Sequence, residues 1–302
     1  MKCTKCGGRA VIDLKRHNSG FCKEHFFEYF ENQVRKAIEE FSMFGPRDRI
    51  LVAVSGGKDS LVLWDVLMRF GYRADGLCID LGISDYSSAS SLKARQFADS
   101  RQAALLCVSL AQDYGFNVPE AARQLRRPAC SPCGLSKRYI FNREALEGEY
   151  DALATGHNLD DEAAVLFGNV LHWNTGYLGR QYPVLEENPG GLVRKVKPLI
   201  RLTERETAAY AVLQGIDYIV EECPKAIGAR TTLYKRLLND LEIESPGAKQ
   251  QFLYGFYERG HDSFVASSDV VLTPCTDCGQ PTSREGLCAF CQVRGRLVTV
   301  RV

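Results

Sequence analysis

The sequence predicts an α/β protein, a doubly wound parallel sheet flanked by small metal-binding modules at its two ends. Three observations carry that prediction. Between residues 49 and 172, short apolar runs closed by glycine alternate with helical apolar spacing, the rhythm of a parallel sheet covered by helices on both faces. Of twelve cysteines, all but Cys78 and Cys107 fall in three clusters. With 45% hydrophobic and 25% charged residues over 302 positions, the chain has globular proportions, which excludes disorder.

The elements follow in order. The first 25 residues carry Cys3, Cys6, Cys22 and His25 as C-x2-C-x15-C-x2-H. Two knuckles of paired ligands joined by a hairpin's length of chain suit a tetrahedral zinc ion, and Gly7 and Gly8 relieve the first knuckle's turn. Residues 26–42 have helical spacing, and RILVAVS (49–55) is the continuous run of a strand buried on both faces. Gly56 and Gly57 follow, then an amphipathic helix from about Asp59 to Phe70. Strands are expected at 74–82, 104–110 and 151–156, with helices at 87–103, 133–148 and 159–172 between and after them. Cys78 and Cys107 fall mid-strand and read as core residues. A further helix is expected at 203–215 and a helical segment at 228–260. Cys275, Cys278, Cys288 and Cys291, spaced C-x2-C-x9-C-x2-C, form a second zinc set in a stretch too small to have its own core, where the metal supplies the missing folding energy.

Lys and Arg number 38 against 37 Asp and Glu, a formal net charge of +1, so no global field selects a nucleic acid or a membrane. No apolar run reaches the ~18 residues of a membrane helix, and the opening MKCTKCGG is unlike an export leader. A cytoplasmic protein without a membrane partner is expected. In that reducing compartment, clustered cysteines read as metal ligands or reactive thiols rather than disulfides.

Ser55-Gly56-Gly57-Lys58-Asp59-Ser60 lies between a buried strand and a helix. The glycines let backbone N–H groups turn inward as an anion nest, and the helix N-terminus adds its positive end. Lys58 and the hydroxyls of Ser55 and Ser60 can complete a phosphate cradle, although the spacing is not that of a Walker A loop. Asp160 and Asp161 follow another strand and Gly156, where a doubly wound sheet presents its ligand crevice. They can cap the helix they begin, or hold magnesium or manage a proton beside a triphosphate. His157 can line the same pocket, whereas His17, His172 and His261 belong to no constellation.

SGGKDS after VAV resembles the PP-loop of the N-type ATP pyrophosphatases, which cleave ATP between the α and β phosphates and adenylate their substrate. TGHNLDDEA (155–163) resembles the second signature of the tRNA thiolases in that superfamily. With CSPCGLSKR (130–138) and zinc knuckles at both ends, the likeness runs over essentially the whole chain and is to the TtuA/Ncs6 group of tRNA 2-thiouridine synthetases, the TtuA branch most closely. The resemblance implies Mg-ATP held by Ala53, Ser55, Gly56, Gly57, Lys58, Asp59, Ser60, Ile79, Lys137, Gly156 and Asp161, with Lys137 and Asp161 catalytic. It implies a homodimer that receives sulfur from a ubiquitin-like carrier protein with a C-terminal thiocarboxylate. It divides the chain into an N-terminal zinc finger (1–27), a PP-loop domain (28–225), a helical extension (226–268) and a C-terminal zinc finger (269–302).

Cys130 and Cys133 are close and Cys223 lies far along the chain, so only a folded domain can join them. Three thiolates on a cubane leave one iron without a protein ligand, which reactive chemistry requires. The resemblance implies a [4Fe-4S] cluster on Cys130, Cys133 and Cys223 whose free iron holds the attacking sulfide. Two alternatives stay open: a persulfide–disulfide relay with Cys133 and Cys223 as partners, and a third zinc site lacking one ligand. Cys133 and Lys137 are i and i+4 and share a helix face, so Lys137 can point at whatever reacts beside the thiols; the spacing alone also suits a solvated lysine.

Three basic stretches lack acidic residues: Arg123, Arg126, Arg127, Lys137, Arg138 and Arg143; Arg194, Lys195, Lys197 and Arg201; and Lys225, Arg230, Lys235 and Arg236. Two of them contain the central cysteines, as a polyanionic tRNA substrate needs. Two rivals from other classes are a PP-loop amidating enzyme, which has no use for the three cysteines, and a non-catalytic zinc-dependent RNA-binding protein, which has none for an intact SGGKDS. The motifs leave open whether a T-loop 5-methyluridine or an anticodon wobble uridine is thiolated.

Overall fold

The computed structural model describes residues 1–188, 190–225, 230–264 and 272–298. The predicted boundaries at 226, 268 and 269, the first two residues of the helical segment expected from 228, and the last four residues of the C-terminal module lie outside the described residues.

A short hairpin, β1 (Ile12–Leu14) and β2 (Ser19–Phe21), joins the halves of the first metal set and leads into α1 (Lys23–Glu40). β3 (Arg49–Val54), α2 (Lys58–Arg69), β4 (Arg73–Asp80), α3 (Ser84–Arg101) and β5 (Leu105–Ser109) follow. Two short helices, α4 (Leu110–Tyr114) and α5 (Val118–Leu125), lead to α6 (Cys130–Glu147), β6 (Ala152–Thr155) and α7 (Leu159–Leu171). Next come α8 (Thr175–Leu178), β7 (Val184–Leu185), β8 (Lys195–Val196) and α9 (Glu204–Gln214). The rest comprises α10 (Arg230–Glu244), α11 (Ala248–Arg259), the hairpin β9 (Thr273–Pro274) and β10 (Pro281–Thr282), and α12 (Ala289–Val298).

The central sheet runs β5-β4-β3-β6-β8-β7. All its neighbours are parallel except the edge pair β7–β8. From β3 the chain builds outward through β4 to β5, then returns to β6 on the other side of β3. The connections leaving β3 and β6 therefore diverge, and a crevice opens at the C-terminal ends of these strands. β3 is buried on both faces, as its unbroken apolar run requires: Ile50, Val52 and Val54 join one core with α1, α2 and α9, and Leu51 joins a second with Leu77, Leu153 and Ile140. The C-terminal module is built into that second core, where Phe290 stacks on Tyr139 of α6 with ring centroids 3.8 Å apart.

Two expectations need correction. The helix after the glycine loop is not amphipathic, since every residue from Ser60 to Leu67 is buried. α9 packs against it, and the buried Asp65 is held by Arg101 (2.8 Å) and the hydroxyl of Tyr210 (3.0 Å). Cys78 is buried as expected, but Cys107 is exposed, because β5 is the sheet's edge strand.

The N-terminal hairpin is tied to the sheet domain by one buried pair. Arg16, between β1 and β2, donates to both carboxylate oxygens of Glu206 at 2.9 and 2.7 Å, and their side chains are only 5% and 1% exposed. Glu206 also completes the capping box of α9 with Thr203.

Candidate nucleotide and sulfur site

The loop after β3 has the geometry its glycines anticipate. Gly56 has φ of 71°, and a Cβ there would collide with the carbonyl oxygen of Ser90, so no other residue fits without moving α3. A Cβ on Gly156 would lie 2.8 Å from the Asp59 carbonyl carbon and 2.9 Å from the Ser60 nitrogen, so glycine lets the chain leaving β6 touch the first turn of α2. The Ser60 hydroxyl oxygen accepts from the Ser55 N–H at 3.1 Å and the hydroxyl donates to the Gly57 carbonyl at 2.9 Å, closing the loop.

Ala53, Ser55, Asp59, Ser60, Ile79, Lys137 and Gly156 together line one cavity of about 310 Å³ at the crevice. His157 joins them, as do Tyr86 and Phe141, which the sequence reading missed. Phe141 was within reach of that reading, being one helical turn beyond Lys137. Tyr86 carries no comparable signal, since it depends on how α3 lies over the loop.

Gly56 and Gly57 shape the loop without lining the cavity, and Lys58 and Asp161 are turned into an ion network beside it. Lys58 Nζ lies 3.0 Å from Asp59 Oδ2 and 2.8 Å from Glu204 Oε1. Lys235 Nζ lies 2.6 Å from Asp161 Oδ1 and 3.2 Å from Glu204 Oε2. Burial would lower both ammonium pKa values, but the facing carboxylates outweigh it and hold them above the ordinary lysine value. Burial opposes ionisation of Glu204 too, and its two lysines overcome it and hold the carboxyl below its ordinary value. Asp59 accepts further bonds from Asn158 (3.2 Å) and the hydroxyl of Thr207 (2.5 Å).

Asp161 is also the third residue of a capping box: its carboxylate accepts from the Asn158 N–H at 3.1 Å, and its own N–H donates to the Asn158 side chain at 3.1 Å. The adjacent Asp160 is buried, pairs with the buried Lys249, and accepts from the Glu204 N–H at 2.7 Å. Asp160 thus anchors the start of α9 and does not line the cavity.

The cysteines fall into two kinds of arrangement. Cys3, Cys6, Cys22 and His25 bring their ligand atoms within 4.8 Å of one another, as do Cys275, Cys278, Cys288 and Cys291. Tetrahedral zinc with bonds of about 2.3 Å to sulfur and 2.0 Å to nitrogen has ligand edges of about 3.8 Å between sulfurs and about 3.5 Å between sulfur and nitrogen. Cys6 and Cys22 sulfurs are 3.8 Å apart, Cys278 and Cys288 sulfurs 3.9 Å, and the Cys3 sulfur lies 3.5 Å from His25 Nδ1. Both sets fit zinc by donor chemistry and size.

Cys130, Cys133 and Cys223 form no such set among the described residues. They are nonetheless neighbours. Burial raises the Cys133 thiol pKa, with Cys130 and Cys223 adding to the effect and Lys137 opposing it. Cys130 Sγ donates to the carbonyl of Lys225, two residues beyond Cys223, at 3.7 Å. Cys130 is exposed and the other two are half-buried. α6 begins at Cys130 rather than at 133, so it carries Cys130, Cys133 and Lys137 in succession, and Lys137 reaches the nucleotide cavity.

The basic stretches separate in space. Arg194 pairs with Glu186, Lys197 with Glu162 and Arg201 with Glu40, so three of the four residues of the second stretch are matched by carboxylates and it offers no continuous face. Lys195 is half-buried near Arg138. Arg123, Arg126 and Arg127 before α6, Arg138 on it, and Lys225, Arg230 and Arg236 around the start of α10 are all exposed. No helix among the described residues is long and apolar enough to cross a membrane.

A parallel sheet with a glycine–serine loop at its switch point, opening on a cavity beside clustered thiols, defines a PP-loop enzyme. The PP-loop domain family matches residues 28–239, and the N-terminal LIM domain of 2-thiouridine synthetase TtuA matches residues 2–27. The chain is 50% identical over 293 residues to the tRNA-5-methyluridine(54) 2-sulfurtransferase of Thermus thermophilus, covering 97% of this chain and 91% of that protein. It is 44% identical over 295 residues to the protein of the same name from Pyrococcus horikoshii, covering 98% and 94%. Among solved structures, the U34-tRNA thiolase NcsA from Methanococcus maripaludis with its [4Fe-4S] cluster superposes with a TM-score of 0.78 at 27% identity, covering 89% of this chain and 92% of that one. The chain belongs to the TtuA branch of the PP-loop superfamily, a family of tRNA sulfurtransferases.

Proposed function

We propose that this protein activates a tRNA uridine with ATP and replaces its 2-oxygen by sulfur, the base being the T-loop 5-methyluridine. The observation that carries the reading is α6. It starts with Cys130 and Cys133 and presents Lys137, one turn on, to the nucleotide cavity, so thiol and phosphate chemistry meet within about 6 Å of helix rise. A PP-loop amidating enzyme does not need that juxtaposition.

In this reading the nest formed by Ser55–Ser60 binds the phosphates of Mg-ATP, and Ala53, Ile79 and Gly156 border the nucleotide. The uridine, drawn out of its stack, attacks the α-phosphate through its 2-oxygen, pyrophosphate leaves, and the oxygen becomes part of an AMP leaving group. Sulfur then bonds to C2 as the C2–O bond breaks and AMP departs. Lys137 stabilises negative charge on the phosphate and the departing oxygen, and Asp161 holds magnesium. Cys130, Cys133 and Cys223 would hold a [4Fe-4S] cluster, which when bound would supply the chemistry that delivers sulfur to the activated base. Zinc in the two end modules maintains the fold.

The exposed arginines beside Cys130 and at the start of α10 contact the tRNA backbone. Sulfur arrives from a thiocarboxylated ubiquitin-like carrier, and the enzyme is a cytoplasmic homodimer. Residues 1–27 and 269–302 serve as zinc fingers around a catalytic domain (28–225) and a helical extension (226–268). The choice of T-loop over wobble uridine follows the relatives sharing 44–50% identity rather than the 27% structural neighbour.

Nucleoside mass spectrometry of bulk tRNA from cells with and without the gene tests the reading. Loss of 5-methyl-2-thiouridine supports it. Loss of a wobble 2-thiouridine moves the function to decoding, and an unchanged profile in cells without a second thiolase overturns it.

A further inference from the structure

Lys58 and Asp161, the charged residues that the nucleotide reading needs, are both held by side chains from later in the chain. Glu204 lies between two ammonium groups, 2.8 Å from Lys58 and 3.2 Å from Lys235, and Lys235 in turn lies 2.6 Å from Asp161. Both holders are well anchored. Glu204 is the first residue of α9, whose capping box is closed by Thr203 and Glu206 and whose first N–H donates to Asp160. Lys235 stands on α10, the helix that follows the Cys223 segment.

We propose that Glu204 and Lys235 are positioning residues that exchange partners when Mg-ATP binds. Lys58 leaves for the phosphates, Asp161 leaves for magnesium, and Glu204 and Lys235 remain as a neutral pair with each other. The proposal rests on the nucleotide reading above.

Charge balance is the argument. Two ammonium groups face three carboxylates in a region where Lys58, Lys235 and Asp161 are each about a quarter exposed or less (18%, 27% and 24%). A partly buried charge left without a partner is costly. When Lys58 departs, Glu204 still has Lys235. When Asp161 departs, Lys235 still has Glu204. The pair therefore lets both functional residues move without stranding Glu204 or Lys235, while Asp59, which also loses Lys58, keeps the bonds donated by Asn158 and Thr207. It also keeps Lys58 and Asp161 away from wrong partners until the ligand arrives.

The two holders have opposite signs, so their removal has opposite consequences. With Glu204→Gln, Lys58 loses a competitor for the phosphates. With Lys235→Gln, Glu204 and Asp161 become unpaired negative charges beside an incoming triphosphate. Calorimetric titration of α,β-methylene ATP into the full-length, zinc-loaded protein, in magnesium-free buffer without chelator or tRNA, reads this directly and without turnover. The zinc content of each variant is checked by elemental analysis to equal the wild-type value. Glu204→Gln is expected to tighten binding about fivefold and Lys235→Gln to weaken it about fivefold, the worth of a partly shielded ion pair. The double variant should return to within about twofold of wild type, and Lys235→Arg should behave as wild type.

Weaker binding in both single variants, or no change in either, overturns the proposal, since a merely structural role moves both the same way. If Lys235→Gln does not fold, Glu204→Gln decides alone, because tightened binding is not a result that damaged structure gives. Wild-type protein that binds no nucleotide even with magnesium overturns the nucleotide reading itself, and this proposal with it.

Discussion

In the end modules, four ligands from two adjacent knuckles converge within 4.8 Å. Cys130, Cys133 and Cys223 come instead from the start of a helix and from a segment beyond three further strands, and they stay outside that spacing among the described residues. The C-terminal set is mostly buried and the N-terminal set ranges from the buried Cys3 to the exposed Cys6, but both are complete without help from distant chain, whereas the central thiols are half-buried or exposed and come from distant segments. Closed sets of four suit ions whose work is to hold a fold, and an open set of three beside a nucleotide cavity suits a group that must react.

The largest effect that can break this comparison comes from Cys223→Ala. Anaerobically reconstituted protein should lose its iron and all thiolation while keeping two zinc ions per chain by elemental analysis. Iron retained with thiolation lost would favour the persulfide relay. A closed site should behave oppositely: Cys291→Ser should lose one zinc ion. Because Phe290 and Cys291 belong to the core that contains α6, the thermal midpoint should fall by about 10 °C or more, several kcal/mol for a domain of this size.

The surface between the two regions gives a smaller effect. Replacing Arg123, Arg126 and Arg127 together by Ala should weaken tRNA binding and reduce its log–log salt slope by about 2 to 3, with nucleotide affinity unchanged. Smaller again is an acid effect. The Glu204 carboxyl is held below its ordinary 4.5 by Lys58 and Lys235 against the opposing effect of burial, so the stability it contributes is present above that value and is lost as pH falls through the lowered one. Denaturant midpoints measured from pH 7 to pH 3 should decline less steeply in Glu204→Gln. The least effect separates the two solitary cysteines: Cys78→Ser should cost about 1–3 kcal/mol and Cys107→Ser no more than about 0.5 kcal/mol, since only Cys78 is buried.

What was legible in the sequence follows from how local each signal is. β3 shows itself because a strand buried on both faces must be apolar throughout, and the loop after it because glycine alone takes the conformation at Gly56. Both four-ligand sets are legible because knuckle spacing is local. β7 and β8 are two residues each and carry no periodicity, so these two strands beyond β6 go unread. The burial of α2 on all sides is invisible because the helix covering it, α9, comes from a distant part of the chain. The same distance hides the fate of Arg194, Lys197 and Arg201, unopposed in sequence but matched in space by Glu186, Glu162 and Glu40. Glu204 was overlooked altogether, since nothing near it in sequence marks it as the partner of a lysine in the glycine loop.

The buried bond between Arg16 and Glu206 sets an order of events during synthesis. The first module's four ligands leave the ribosome early and can take up metal at once. Its arginine cannot be neutralised until the chain has been made through α9. Until then the hairpin can rest on α1, where Phe21 stacks on Tyr29, but its arginine lacks its carboxylate, and breaking such a buried pair costs about 3–5 kcal/mol. Gathering the four ligands and neutralising Arg16 are therefore separate steps, and a truncated chain ending before residue 206 would keep the ligand set and its packing on α1 but leave Arg16 without its carboxylate.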